Sequence, residues 1–174
     1  MQTLIDHLAQ YAAYHRDRRN IVSHFIGIPM IVLAVAVLLS RPGFQLLGLW
    51  LSPAAPTALA AALFYLRLDL RFGGLMAVLL GLCLWAGAAL AAQSTALWLG
   101  AGLGLFVGGW VIQFVGHYYE GRKPAFVDDL MGLLIGPLFV VAEAAFLLGL
   151  RREVEQAVVA RAGPTCIRQH KAGT

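Results

Sequence analysis

Three histidines stand where apolar runs begin or end: His15 in YAAYHRDRRN, His24 in NIVSHFIGIP and His117 in QFVGHYYEGRKP. Imidazole is the commonest metal-ligating side chain, and it is neutral enough to be buried when it coordinates an ion. Gln113 precedes His117 by four residues and Glu120 follows it by three, a spacing that puts all three on one face of a helix. Taken singly, each histidine reads as an interfacial residue that caps a helix end or bonds a carbonyl. Taken together, with Glu120 one turn beyond His117, they read as a metal centre.

Geometry sets a condition on that reading. His15 and His24 are nine residues apart, which in one straight helix places them on opposite faces and about 13 Å apart along the axis. They can share an ion only if the helix breaks between them. Asn20 and Ser23 are good helix N-caps, so RDRRN is expected to be a turn between two helices. Asp69, between Arg67 and Arg71, reads as a carboxylate neutralised in an ion network at a membrane edge. Glu143 stands in an apolar run, where an ionisable side chain is costly and usually functional; its alternatives are a buried neutral acid or a helix-packing hydrogen bond. His7 is expected to face solvent, and His170 belongs to the tail. Cys83 and Cys166 lack metal-like spacing and predict neither a disulfide framework nor a thiolate zinc site.

The elements that must carry these residues follow from composition. Of the 174 residues, 60% are hydrophobic and 13% charged, with mean hydropathy +0.75, whereas a soluble domain is about 25% charged. A globule of this size cannot hide so much apolar surface, so lipid is the expected solvent. From Phe72 to Gly116 there is no Asp, Glu, Lys or Arg; at about 20 residues per crossing this run predicts two spans joined by a turn at Gln93-Ser94-Thr95. Pro42 to Leu66 is a further candidate that Pro53 and Pro56 should kink or split. Phe25 to Leu39 crosses if it extends back through Ile21-His24. Leu130 to Leu150 is interrupted by Gly136-Pro137. Ahead of them all, Leu4, Ile5, Leu8 and Tyr11 form the stripe of an amphipathic helix that Thr3 and Asp6 cap.

The expected fold is therefore all-α: a polytopic helical membrane bundle of four to five spans, with an N-terminal amphipathic helix. It forms one domain over residues 1–150, followed by a polar, basic, solvated tail over 151–174. Arg16, Arg18 and Arg19 place the N-terminal segment in the cytoplasm, and successive crossings bring Arg67, Arg71, Arg122 and Lys123 to the same face. His15, Asn20, His24, Asp69, His117, Glu120 and Asp128-Asp129 gather there too. A fully crossing last helix would export the arginine-rich tail, so a helix broken or re-entrant at Gly136-Pro137 is expected instead. The net charge of +4 is explained by this topology and does not call for nucleic acid. Residue usage suggests a bacterial inner membrane, with the site near its cytoplasmic face.

The pairing of YHRDRRNIVSHFIGIP with QFVGHYYEGRKPAFVDDLMGLLIGPLFVVAE resembles the Mpo1-like family. The matching positions are His15, Asn20, His24, Gly27 and Pro29, then Gln113, Gly116, His117, Glu120, Pro124, Gly136-Pro137 and Glu143, with Tyr65 and Asp69 between. The resemblance covers residues 1 to 150 and leaves the tail outside. It implies an iron(II)-dependent dioxygenase, Fe(2+) being the cofactor, that shortens 2-hydroxy fatty acids by one carbon with dioxygen in a lipid membrane. It further implies His15, His24 and His117 as ligands. Glu120 becomes a further ligand or a partner orienting an imidazole, and Asn20 and Gln113 become hydrogen-bonding residues for substrate or ligands. Arg19, Arg122 or Lys123 would steady the substrate carboxylate. Two rival readings remain: a small transporter or channel with Glu143 at a broken helix, or another lipid-modifying metalloenzyme.

Overall fold

The structure, a computed structural model, describes residues 2–41, 43–46 and 49–168, without the side chains of residues 45, 46, 49, 50 and 126. His170 and Lys171 lie outside the described residues. The elements in chain order are α1 Leu4–Ala12, α2 Arg18–Leu39, β1 Phe44–Leu46, β2 Leu49–Leu51, α3 Ala54–Leu68, α4 Leu70–Ala91, α5 Thr95–Glu120, α6 Met131–Leu147 and α7 Arg152–Ala162. A 3-10 turn, Ala125–Val127, links α5 to α6. The all-helical expectation holds apart from the small antiparallel hairpin β1–β2, in which Phe44 faces Leu51.

Among the described residues, three helices, α2, α4 and α5, are long and apolar enough to cross a membrane, and α6 with α7 passes the same test as one bent pair. The outer faces support lipid as solvent: Trp85 is 73% exposed and Val78 61%, an apolar surface that water would penalise. The expected span over residues 42–66 is not formed as one helix. Its first part is the hairpin, and α3 begins only after Pro53. The fifteen residues of α3 reach about 22 Å, short of a hydrocarbon core about 30 Å thick. By contrast, α2 does extend back through Ile21-His24 and reaches full crossing length.

The chain divides into two compact units, Pro29–Trp110 and Met1–Ile28 with Val111–Thr174. In the first, α3 packs on α4, and Asp69 stands between them. Its Oδ1 accepts the amides of Arg71 and Phe72 at 2.9 Å each, which makes it the N-cap of α4. Asp69 thus satisfies orphan helix donors, a role its flanking arginines had obscured. The turn at Gln93-Ser94-Thr95 appears between α4 and α5 as expected. Arg41 holds it, donating to Ala91 O (2.7 Å), to Thr95 Oγ1 (3.2 Å) and to Gln93 O, while its guanidinium lies over Trp98.

The second unit carries every residue of the candidate centre. Its first element, α1, starts with the reciprocal capping box of Thr3 and Asp6, and α7 packs along α1 with Val154 and Val158 buried. The segment expected to be a solvated tail is therefore folded structure through Arg168, because an amphipathic helix with two buried valines needs a partner. The last hydrophobic segment is bent, as expected, but not at the expected place. It runs unbroken through Gly136-Pro137, and the bend, 115° between α6 and α7, comes later, where Gly149 and Arg151 take positive φ. Gly136 serves close packing instead: a Cβ there would lie 2.9 Å from Tyr11 Oη and 3.0 Å from Ile28 Cδ1. At Gly116 of α5 a Cβ would lie 2.6 Å from Asn20 Oδ1 and collide with Ser23 of α2. This glycine lets α5 approach α2 closely.

Two predictions follow from this packing. Replacing Gly116 by Ala should destabilise the protein by about 1–3 kcal/mol, the usual cost of an extra carbon in a filled contact. Gly104→Ala, whose added carbon meets nothing within 4 Å, should be neutral when both are unfolded in detergent. The second concerns acid. The Thr3 amide, the Arg161 guanidinium and the Thr3 hydroxyl together hold the Asp6 carboxyl at about 2, below its usual 3.8. A depressed carboxylate stabilises the fold above the unfolded value and loses that contribution as pH falls through the folded one. The docking of α1 on α7 should therefore weaken between about pH 4 and pH 2, and Asp6→Asn should flatten that part of a thermal-melting profile.

Candidate metal centre

The condition set by the nine-residue spacing is met: α1 ends at Ala12, α2 begins at Arg18, and the break lies between them. Its caps differ from expectation. Asn20 and Ser23 sit inside the first turns of α2, and Asp17, through Oδ1, accepts the amide of Arg19 at the helix start. Because the chain turns here, His15 in the break, His24 on α2 and His117 on α5 converge. One ligating atom from each lies within 4.8 Å of the other two, and the ring centroids are 4.4 Å (His15–His24), 4.9 Å (His15–His117) and 5.2 Å (His24–His117) apart. All three are buried.

Two of the rings are oriented by backbone carbonyls four residues earlier. His15 Nδ1 lies 2.7 Å from Tyr11 O and His24 Nδ1 lies 2.8 Å from Asn20 O. A carbonyl only accepts, so each Nδ1 carries the proton and each Nε2 keeps its lone pair. His15 Nε2 is fully buried with no hydrogen-bond partner among the described residues, the kind of orphaned atom that a cation would satisfy. Burial pushes His15 well below the ordinary imidazole value, so the ring stays neutral and able to ligate. Tyr11 stacks on His15 at 4.1 Å and 8°. Phe139 of α6 lies 5.0 Å from Tyr11 and 5.7 Å from His15, giving the cluster an apolar floor. The donor set, neutral nitrogens in a dry pocket, suits a borderline transition metal such as iron(II) or zinc.

Glu120 is placed differently from both roles expected for it. Its carboxylate is 1% exposed and turned to the break: Oε2 accepts the Asp17 amide at 2.8 Å and Asn20 Nδ2 at 3.1 Å, and Oε1 lies 2.9 Å from Arg168 Nε. Among the described residues, the group of possible ligands does not include it and no imidazole bonds to it. Asn20 spends its amide nitrogen on Glu120 and its backbone oxygen on His24, leaving Oδ1 without a partner among the described residues. Gln113, one turn before His117, is 4% exposed, with neither amide atom partnered among the described residues.

The basic residues expected to steady a carboxylate are engaged elsewhere. Arg19 forms a two-pronged pair with Asp17 and covers the Tyr119 ring at 4.5 Å; Arg122 donates to Ala13 O at 3.0 Å; Lys123 pairs with Asp128 at 2.6 Å. Arg19 in turn holds the Asp17 carboxyl down at about 2. His7 is buried beside Tyr11, Tyr14 and Asp128 instead of facing solvent. Glu143 faces Arg16 at 3.5 Å, a partner far away in sequence, and it stands on α6, which is unbroken at Gly136-Pro137. Sequence reasoning missed Arg16, Asp17 and Arg168. The signal it had was the i−4 relation of Tyr11 to His15 and Asn20 to His24, which marks carbonyl acceptors only once the helices are placed.

Arg16 also links the cluster to a groove. Its Nε donates to His15 O at 3.0 Å, and it lines a cavity of about 530 Å³ with Ile21, Phe25, Glu143, Phe146 and Val158.

The family model described as "2-hydroxy-palmitic acid dioxygenase Mpo1-like" matches residues 1–148. The "2-hydroxy-palmitic acid dioxygenase MPO1" of Saccharomyces cerevisiae is 35% identical over 145 residues, covering 82% of this chain and 79% of the yeast protein. No solved structure matches. The yeast relative lends no support to a bacterial inner membrane, while the apolar helices accord with a membrane protein. With its paired histidine motifs inside the matched region, the chain belongs to the Mpo1-like family, a fatty-acid dioxygenase-related group.

Proposed function

We propose that the protein is a membrane iron(II)-dependent dioxygenase that converts a 2-hydroxy fatty acid to the fatty acid one carbon shorter. The observation that carries the proposal is the buried convergence of His15, His24 and His117 in a chain related to a 2-hydroxy-palmitic acid dioxygenase. The balance closes without a further reductant: one dioxygen and one 2-hydroxy acid become the shorter acid, carbon dioxide and water. Iron(II), held by the three imidazoles, would supply oxygen activation and an anchor for the substrate's carboxylate and hydroxyl.

The chain's own residues do the rest. The carbonyls of Tyr11 and Asn20 fix two imidazole tautomers. Tyr11 and Phe139 exclude water from the cluster, which strengthens every electrostatic contact within it. Gln113 is the buried polar side chain best placed to hydrogen-bond the substrate head, because its amide has no competing partner among the described residues; the Asn20 oxygen is the second. The cavity beside Arg16, apolar along Ile21, Phe25 and Phe146, lies within the usual size range of a ligand pocket and suits an acyl chain. A head group at the membrane boundary and a tail among apolar helices fit such a substrate, with the basic residues favouring the cytoplasmic face.

Purified protein should contain near-stoichiometric transition metal and release the odd-chain acid from 2-hydroxypalmitate in air. Turnover should stop with an iron(II) chelator and return with iron(II). A folded sample without metal, inert toward every 2-hydroxy acid offered, would defeat the proposal. His117→Ala should abolish bound iron while leaving the helical circular dichroism intact, and Gln113→Ala should lower turnover at least tenfold with iron occupancy unchanged.

A further inference from the structure

The last described residues of the chain lie against the break that brings the histidines together. After α7, the segment Gly163–Arg168 runs alongside Arg16–Arg19. Cys166 pairs with Asp17 as a short parallel bridge: the Cys166 amide donates to Arg16 O at 2.8 Å, and the Arg18 amide donates to Cys166 O at 2.9 Å. Arg16 Nη1 donates to Gly163 O at 2.9 Å, and Arg19 Nη2 donates to Arg168 O at 2.8 Å. Finally, the Arg168 amide donates to Asp17 Oδ2 at 2.8 Å, while its Nε forms the ion pair with Glu120 Oε1.

We infer that this C-terminal strap, with Arg168 as its positioning residue, locks the α1–α2 break in the geometry that lets His15, His24 and His117 share one metal ion. The reasoning is local. Glu120 is a fully buried carboxylate, and a buried charge is tolerated only when paired and hydrogen-bonded. Of the cations described, Arg168 is the one within ion-pair distance of it. Once neutralised, Glu120 keeps its other oxygen for the Asp17 amide and for Asn20 Nδ2. Asn20 is the residue whose carbonyl orients His24, and Asp17 follows His15 by two positions. The strap therefore reaches both ends of the break through one carboxylate. It lies beyond residues 1–148 that the family model matches.

The part of the inference that concerns metal rests on the proposed function; the part that concerns the break does not, and the experiment separates them. Hydrogen exchange is followed on the full-length, metal-free protein in detergent, for the wild type and for Arg168→Gln, Arg168→Lys, Glu120→Gln and the Glu120→Gln/Arg168→Gln pair. The Asp17 and Arg18 amides should be protected in the wild type. Arg168→Gln should speed their exchange at least tenfold without altering the amides of α4, and Arg168→Lys should restore much of the protection. Cobalt(II) titration, read by its visible absorption, should show about tenfold weaker binding for Arg168→Gln, within the usual range for residues supporting a ligand. Adding Arg168→Gln to Glu120→Gln should weaken binding no further, because Arg168 acts through that carboxylate. Unchanged exchange at Asp17 and Arg18 in Arg168→Gln overturns the strap. Faster exchange in a protein whose wild type binds no cobalt upholds the strap as the lock on the break and overturns the metal reading instead.

Discussion

A carboxylate that has no access to water organises this protein. Glu120 ends α5, fully buried, and its two oxygens are shared among the Asp17 amide, the Asn20 side chain and Arg168. Burying a charge is costly, so each partner is held where it is needed to offset that cost. The consequence is felt at the break between α1 and α2. A helix that ran on from Tyr11 to His24 would point His15 away from His24. The break, tied to Glu120, reverses that, and three imidazoles from separate parts of the sequence meet. Asp17 shows the same logic from the other side: it is buried, and its carboxylate is held by Arg19 and the Arg168 amide.

Around this polar knot the packing is close and apolar. The glycine at 116 lets α5 approach α2, and the glycine at 136 makes room for Tyr11, the ring on which His15 stacks. Such contacts use the dense packing of protein interiors to hold side chains in single rotamers. Orientation of a ligand is then a matter of helix register: the carbonyls of Tyr11 and Asn20 are available at i−4 because the helices that carry them have turned at the right residue. The apolar outer faces add the remaining constraint. With apolar side chains facing outward over α4 and α5, the polar groups of the chain have few places to go, and they collect where helices end.

Much of the arrangement could be read from residue order alone, and specific cases show why. The uncharged run from Phe72 to Gly116 had to be two helices with a polar turn, since length, apolarity and the Gln93-Ser94-Thr95 interruption leave no other solution in lipid. Thr3 and Asp6 announced a capping box because that interaction is local. The break between His15 and His24 was legible through its function, for without it the histidines could not cooperate. Where the reading failed, a distant partner decided. Glu120 looked like a ligand because it lies one turn from His117, yet its carboxylate is drawn away by Asp17, Asn20 and Arg168. The last helix tolerates Pro137 and bends later, so the basic tail folds back as α7.

What the sequence determined by itself was everything set by period, composition and nearest neighbours: apolar helices, their approximate ends, the amphipathic first helix and the identity of three imidazoles fit for a metal. Tertiary structure alone decided which of the polar residues face the histidines and which face one another. The physical reason is that hydrophobicity acts through local pattern, whereas a buried charge must find its counter-charge wherever the fold brings one, here from Glu120 to Arg168 across the chain.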